Sequence, residues 1–174
     1  MLQLSTALLN RPIMSLRTGG SVGTSLGPII NPNNLKIEGF YCADKFSKDT
    51  LILLAQDVRD IIVTGLVVND HDVLTHPDEL IRLKKVMDIG FSLLGKPVHT
   101  ESGKKVGKIA DFATDTKTLY VQKLYLTQSL IKSIGSTQLS VDRNQILEIT
   151  DRKIVIKDLE NTNRSRLAAP APAV

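Results

Sequence analysis

One pattern of apolar residues runs through this chain twice. Leu8-Leu9-Asn10-Arg11-Pro12-Ile13 returns as Leu93-Leu94-Gly95-Lys96-Pro97-Val98, 85 positions later. Val22-Gly23 returns as Val106-Gly107 after 84 positions. Leu35, Ile37, Phe40 and Cys42 return as Leu119, Val121, Leu124 and Leu126, again after 84. Leu54, Asp57, Ile61 and Ile62 align with Leu139, Asp142, Ile146 and Leu147 at 85. A single match of this kind arises easily by chance; four in the same order do not. Self-similarity at a near-constant period marks a duplicated structural unit. The 174 residues therefore divide between two small bodies.

The second copy shows the form of the unit. Lys96 to Thr100 is a short run after Gly95, and Ser102-Gly103 is a turn signal. Lys105 to Phe112 follows, with Val106 and Ile109 apolar, before a further turn at Asp115-Thr116-Lys117. Leu119 to Leu126 alternates, but the alternation changes phase between Val121 and Leu124. One extra residue, a β-bulge, moves the side chains after it to the opposite face. The first copy changes phase at the matching place, between Ile37 and Phe40. A shared bulge points to a strongly bent strand, as closure of a small barrel requires. Gln138 to Val141, Ile146 to Ile149 and Lys153 to Ile156 complete the strands. Short strands separated by turns belong to a sandwich or barrel rather than to an α/β sheet.

One segment breaks the β pattern. Leu80, Leu83, Val86 and Met87 have helical spacing. Pro77 and two acids precede them, Lys84 and Lys85 come late, and Gly90 follows. The spacing predicts a helix over Pro77–Ile89. A second helical turn is expected at Leu130 to Ser133. After Glu160 the chain reads Asn161-Thr162-Asn163-Arg164-Ser165-Arg166-Leu167 and ends Ala-Ala-Pro-Ala-Pro-Ala-Val, a tail with too little to bury. The expected fold class is all-β: two tandem small β-barrels joined by a short helical rod. Residues 1–76 form the first unit, 77–90 the linker helix, 91–158 the second unit and 159–174 a disordered tail.

Composition narrows the function classes. Apolar residues make up 42% and charged residues 23%, which excludes a disordered chain and a polytopic membrane protein. Aromatics are 4% and Trp is absent, so a stacking platform for single-stranded nucleic acid lacks its parts. The single Cys42 excludes an internal disulfide and a Cys-based zinc site, and fits a reducing cytoplasmic location. No Lys or Arg precedes Arg11, and Ser5, Thr6 and Asn10 interrupt the first apolar stretch, unlike a signal peptide. No apolar run approaches the ~18 residues of a membrane span. Residues 1–90 carry 9 basic and 10 acidic groups, while residues 91–174 carry 13 and 8. The halves thus differ in sign of charge although they repeat one pattern.

Leu94-Gly95-Lys96-Pro97-Val98, then Ser102-Gly103-Lys104-Lys105-Val106-Gly107-Lys108-Ile109-Ala110-Asp111, then the bent strand, resemble the PRC-barrel family. Its pattern runs Leu-Gly-Lys-x-Val, then Gly-x-x-hydrophobic-Gly-x-hydrophobic-x-Asp. The family is named for the cytoplasmic domain of the H subunit of photosynthetic reaction centres. It also forms the C-terminal domain of the small-subunit rRNA maturation factor. The likeness covers Phe91 to Asp158 and, more loosely, residues 7–76. Gly23 matches Gly107, but the Asp seen at Asp111 is replaced near Gly27-Pro28. The resemblance implies a small-barrel fold with Gly23, Gly95, Gly107 and Asp111 as structural motif residues, and adaptor behaviour toward a protein partner. It specifies a fold rather than a chemistry. Gly107 is expected to allow close backbone approach or positive φ, and Lys96-Pro97 suits an edge strand.

The chemically suggestive clusters read mostly as structure. Asp70-His71-Asp72 with His76 offers four potential metal ligands, yet on turn sequence with no supporting group. His99 reads as an exposed strand residue, and no Ser or Cys sits in an elbow motif near a His. Asp111 and Asp115 lie about 13 Å apart on an extended strand, too far to share acid/base work. Asp57 and Asp142 fall at matching places in the repeat, as structural residues do. Cys42 reads as a small core hydrophobe. Gly19 to Gly27 is glycine-rich but lacks the Gly-Lys-Ser/Thr ending of a phosphate loop. Asn163-Arg164-Ser165 matters as a glycosylation sequon only in a secreted protein. Lys104, Lys105 and Lys108 form the densest basic cluster and are the candidate partner-binding residues.

The expected function is a non-catalytic binding module that docks a protein partner through strand edges or an exposed barrel face, with no cofactor and no metal. The alternative is an RNA-linked role in ribosome maturation, with the ribosome or rRNA as partner. The N-terminal half, a second repeat unit, departs from the maturation factor and weakens that alternative. No DNA partner is expected, and membrane contact only indirectly through a partner.

Overall fold

The computed structural model describes residues 1–128 and 139–158. The helical turn expected at Leu130–Ser133, the strand residue Gln138, the tail over 159–174 and its sequon lie outside the described residues. The chain opens with β1 (Leu2–Leu4). Next come β2 (Arg11–Ser15), β3 (Ser21–Asn31), β4 (Lys36–Asp44), β5 (Thr50–Leu54), β6 (Val58–Ile62), β7 (Gly65–Val68) and β8 (Leu74–Thr75). These form one sheet in the order β6-β7-β2-β3-β4-β5-β8. After α1 (Ile81–Ile89) come β9 (Pro97–Thr100), β10 (Lys105–Asp115), β11 (Val121–Gln128), β12 (Leu139–Asp142), β13 (Ile146–Ile149) and β14 (Ile154–Ile156). They form a second sheet, β12-β11-β10-β9-β14-β13, and β1 adds to it on β10. Among the described residues the protein is thus predominantly β with one short α-helix. No ladder joins the end strands of either sheet among the described residues.

The two sheets repeat one path. The antiparallel run β2-β3-β4-β5 and the parallel pair β2/β7 recur as β9-β10-β11-β12 and the parallel pair β9/β14. The bulges recur as well. Glu38 is the unpaired residue of β4 and Gln122 that of β11, where the sequence changes phase. Leu26 and Ala110, and Val22 and Val106, are further matched bulges, each pair 84 apart. The fourth alignment is different from the one expected. Cys42 pairs with Leu51 and Leu126 with Leu139, so the spacing beyond β4 is 88 and not 85. The connection after β11 is longer than the one after β4, and a short apolar strand tolerates several registers on paper. Asp142 therefore corresponds to Leu54, and its match to Asp57 does not stand.

The units meet across a reciprocal contact. Lys36 and Tyr120, 84 apart, form a β-bridge. Ile37 N–H donates to Leu119 O at 2.8 Å, and Val121 N–H donates to Leu35 O at 3.0 Å. Each unit gives the bond that it receives, the signature of a two-fold relation. Leu35 and Leu119 both take the left-handed backbone, φ 53 and 58, at a cost of about 1 kcal/mol each. Their N–H groups close matching turns onto Asn31 O and Asp115 O, both at 2.8 Å. Arg143 tightens the contact, with Nη1 donating to Val121 O at 3.0 Å and Nη2 to Asn34 O at 2.6 Å. Its guanidinium lies 4.8 Å from the Tyr120 ring centroid.

The segments that lead into each unit are exchanged. β1 precedes the first sheet but pairs with β10 in the second, Leu4 opposite Ala113. α1 precedes the second sheet but packs on the first, with Leu83 against Ile29 and Ile52. Gly39 makes that approach possible, since a Cβ there would lie 3.3 Å from Leu83 Cδ2. The helix is therefore no free-standing rod, and the buried side chains of both sheets form one continuous cluster. Apolar residues shared across a two-fold contact merge the cores instead of keeping them apart.

Two local expectations change. The helix does not run from Pro77: Pro77–Glu79 is a 3-10 turn, and Leu80 (φ −104, ψ 70) separates it from α1. Proline and early acids favour either kind of first turn. Gly90, at φ 61, ends α1 by donating to Met87 O at 2.9 Å. Pro97 is not on an edge strand, because β9 lies between β10 and β14. It is tolerated as the first residue of its strand, where the ladder to β14 has yet to begin at Val98.

Candidate functional site

The Asp70–His71 cluster resolves into separate structural pairs. The segment is a 3-10 turn, His71–Val73, between β7 and β8. His71 Nε2 lies 2.8 Å from Asp44 Oδ1. Burial alone would raise the Asp44 pKa, but bonds from His71, Ser47 and the Phe46 N–H outweigh it and hold the carboxyl low. Asp70 accepts from Arg17 Nη1 at 2.7 Å and from Ser15 Oγ at 3.1 Å. The His71 N–H, first among several donors, keeps its pKa low. Asp72 and His76 are exposed. No group of three or more potential ligands converges among the described residues.

The motif aspartates work locally. Asp111 Oδ1 accepts from Ser5 N–H at 3.1 Å and from the Ser5 hydroxyl, and so clamps the turn that follows β1. Asp115 Oδ1 caps the turn after β10, accepting from Thr118 N at 2.9 Å, Thr118 Oγ1 at 3.0 Å and Lys117 N at 3.1 Å. Its Oδ2 lies 3.3 Å from the Met1 ammonium. The Thr118 N–H and hydroxyl bring its pKa down to about 2, with the Met1 ammonium a smaller contributor. Each aspartate thus serves the attachment of the N-terminal segment.

The motif glycines and the remaining candidates also settle into place. A Cβ on Gly23 would sit 2.8 Å from Ala43 O, so close strand approach excludes a side chain there. Gly95 has φ 78 and donates to Ile109 O at 2.8 Å; Asn10, 85 positions earlier, matches it at φ 54. Gly107 pairs with Val98 and Gln128 and is not among the positive-φ residues. Cys42 is fully buried, and burial pushes its thiol up to about 12. His99 is half-buried rather than exposed, and its Nδ1 finds no hydrogen-bond partner among the described residues. The neighbouring strands of a central β9 account for that burial. Lys104, Lys105 and Lys108 are exposed at the β9–β10 hairpin and enter no ion pair among the described residues.

A surface groove lies elsewhere. The start of α1 and the strand–turn region of the first sheet enclose an open groove of about 670 Å³. Leu54, Leu80 and Leu83 give it an apolar floor, while Lys36, Glu38 and Arg82 give it charge. Glu38 is the bulged residue of β4, and the bulge sets it apart from the strand's alternation. Ile81 lines the same groove and is 78% exposed. Ile81 stands off the stripe of Leu80, Leu83, Val86 and Met87, and that departure is visible in the sequence. The groove itself depends on the docking of α1, which has no local sequence signal.

No known protein-family model matches this chain, and no curated protein matches it. No helix among the described residues is long and apolar enough to cross a membrane.

Proposed function

We propose that this chain is a non-catalytic cytoplasmic binding protein, built of two PRC-barrel-like units, that docks a protein partner. The observation that carries the reading is the groove beside α1. Its apolar floor, charged rim and outward Ile81 have the make-up of a protein-docking surface. The repeated, strongly bulged sheets support the small-barrel form of each unit. The test is a photo-crosslinking residue at a groove position, with the captured protein identified and the complex rebuilt from purified parts. The expected outcome is one partner whose binding weakens at least tenfold in Ile81→Asp. A partner bound equally well by that variant would overturn the reading.

A second reading, an RNA-linked role in ribosome maturation, draws on the three exposed lysines of the β9–β10 hairpin. Filter binding of rRNA across a salt series tests it. Salt-sensitive binding lost on replacing Lys104, Lys105 and Lys108 would favour it; binding that ignores salt would remove it.

A further inference from the structure

We propose that the groove beside α1 takes an arginine side chain from its protein partner, in the place that Arg143 fills in the second unit. The inference rests on the binding-module reading and adds the chemistry of the partner. The repeat supplies the template. The 3-10 turns Ala55–Asp57 and Arg143–Gln145 follow β5 and β12, and the spacing of 88 matches Ala55 to Arg143. Arg143 donates across the two-fold contact to Val121 O and Asn34 O, beside the Tyr120 ring. At the spacing of 84, the counterparts of these three groups are Ile37 O, Thr118 O and Lys36. Ile37 N–H donates across the contact as Val121 N–H does, so the two carbonyls are equivalently placed. Ala55 has no donor to reach them and no long side chain to fill the space. The second unit thus closes this corner with its own guanidinium. The first leaves a corner that opens into the groove, where Lys36, Ala55 and Gln56 are part of the wall.

The charges around the corner favour a cation there. Glu38, the bulged residue of β4, stands where β11 has the neutral Gln122. Glu79 lines the same groove and is exposed. Neither carboxylate enters an ion pair among the described residues. Two cations also line the groove. Lys36 is drawn toward the other unit, its Nζ 5.8 Å from the Tyr120 ring centroid. Arg82, at the start of α1, is exposed to water. A guanidinium suits the corner better than an ammonium does, because its planar fork reaches two carbonyls at once. Its aliphatic stem would lie on the apolar floor of Leu54, Leu80 and Leu83.

The test titrates isotope-labelled full chain with the peptide acetyl-Ala-Leu-Arg-Leu-Ala-amide, and with the same peptide carrying citrulline, the neutral isostere, in place of arginine. Saturable amide shifts are expected at Ile37, Glu38, Ala55 and Gln56. The citrulline peptide should bind about tenfold more weakly or worse, because uncharged donors make weaker hydrogen bonds. Glu38→Gln copies the residue of the second unit. It should weaken the arginine peptide by a similar factor and leave the citrulline peptide unchanged. Ala55→Arg should fill the corner from within and abolish binding of the arginine peptide. Three results would overturn the proposal: no saturable shifts at millimolar arginine peptide, equal binding of the citrulline peptide, or unchanged arginine-peptide binding by a folded Ala55→Arg chain. Should that variant not fold, the Glu38→Gln comparison decides, and equal arginine-peptide binding by Glu38→Gln overturns the proposal. Failure here with Ile81-dependent capture intact sinks the arginine alone; a partner captured equally well by Ile81→Asp sinks the binding-module reading.

Discussion

Arg143→Ala removes the side chain that ties the two units together most directly. Arg143 is half-buried and donates to Val121 O at 3.0 Å and to Asn34 O at 2.6 Å. Hydrogen bonds from a charged donor contribute about 1.5–3 kcal/mol each when shielded from water. Partial exposure lets water replace much of that, so the pair is taken at about 1–2 kcal/mol together. The guanidinium over Tyr120, at 4.8 Å, adds about 0.5–1 kcal/mol. The expected destabilisation is about 1.5–3 kcal/mol, read as a shift in urea midpoint at constant slope. Hydrogen exchange locates the loss, because Ile37 and Val121 carry the amides that cross the contact. Both should lose protection together. Arg143→Lys should behave much like Ala, since an ammonium cannot span two carbonyls with a fixed fork. A change under about 0.5 kcal/mol with both amides still protected would refute the reasoning.

Four further outcomes are expected. Leu35→Gly should be at least as stable as Leu35→Ala, reversing their usual order, because φ is 53 at this position; urea melts of both variants check it. Asp111→Ala should release the β1 turn at a cost of about 1–3 kcal/mol, seen as faster exchange of the Gln3 and Leu4 amides, with no change at Ile37. The Asp115 pKa is lowered on folding, so its contribution is present above the ordinary carboxylate range and is lost as pH falls through about 2. Chemical shifts of Lys117 and Thr118 should follow that titration; a midpoint near the ordinary carboxylate value would contradict it. Cys42, buried with its thiol raised to about 12, should resist a thiol reagent at pH near 8 and label only on unfolding. Rapid labelling of the native chain would contradict its burial.

The parts of the fold that were legible in the sequence are those governed by neighbours in the chain. The phase changes between Ile37 and Phe40, and between Val121 and Leu124, located the bulges at Glu38 and Gln122, because a bulge alters which face every later residue occupies. Gly90 marked the end of α1 for a similarly local reason. The spacing of 88 beyond β4 was not legible, since insertion length cannot be counted from a few apolar matches. The exchange of lead-in segments left no local trace either. Asp111 finds Ser5 across 106 positions, and neither residue announces the other. The candidate site followed the same division: the sequence pointed to Lys104, Lys105 and Lys108 and passed over Ile81, whose place off the apolar stripe gains meaning only when docking of α1 turns it into the wall of a groove.

The central claim is that two repeats of one unit meet about a two-fold relation through Leu35–Ile37 and Leu119–Val121. Scalar couplings across hydrogen bonds test it most directly. The account predicts two, from Ile37 N to the Leu119 carbonyl carbon and from Val121 N to the Leu35 carbonyl carbon. Finding only one of them, or neither in a folded chain, would contradict it.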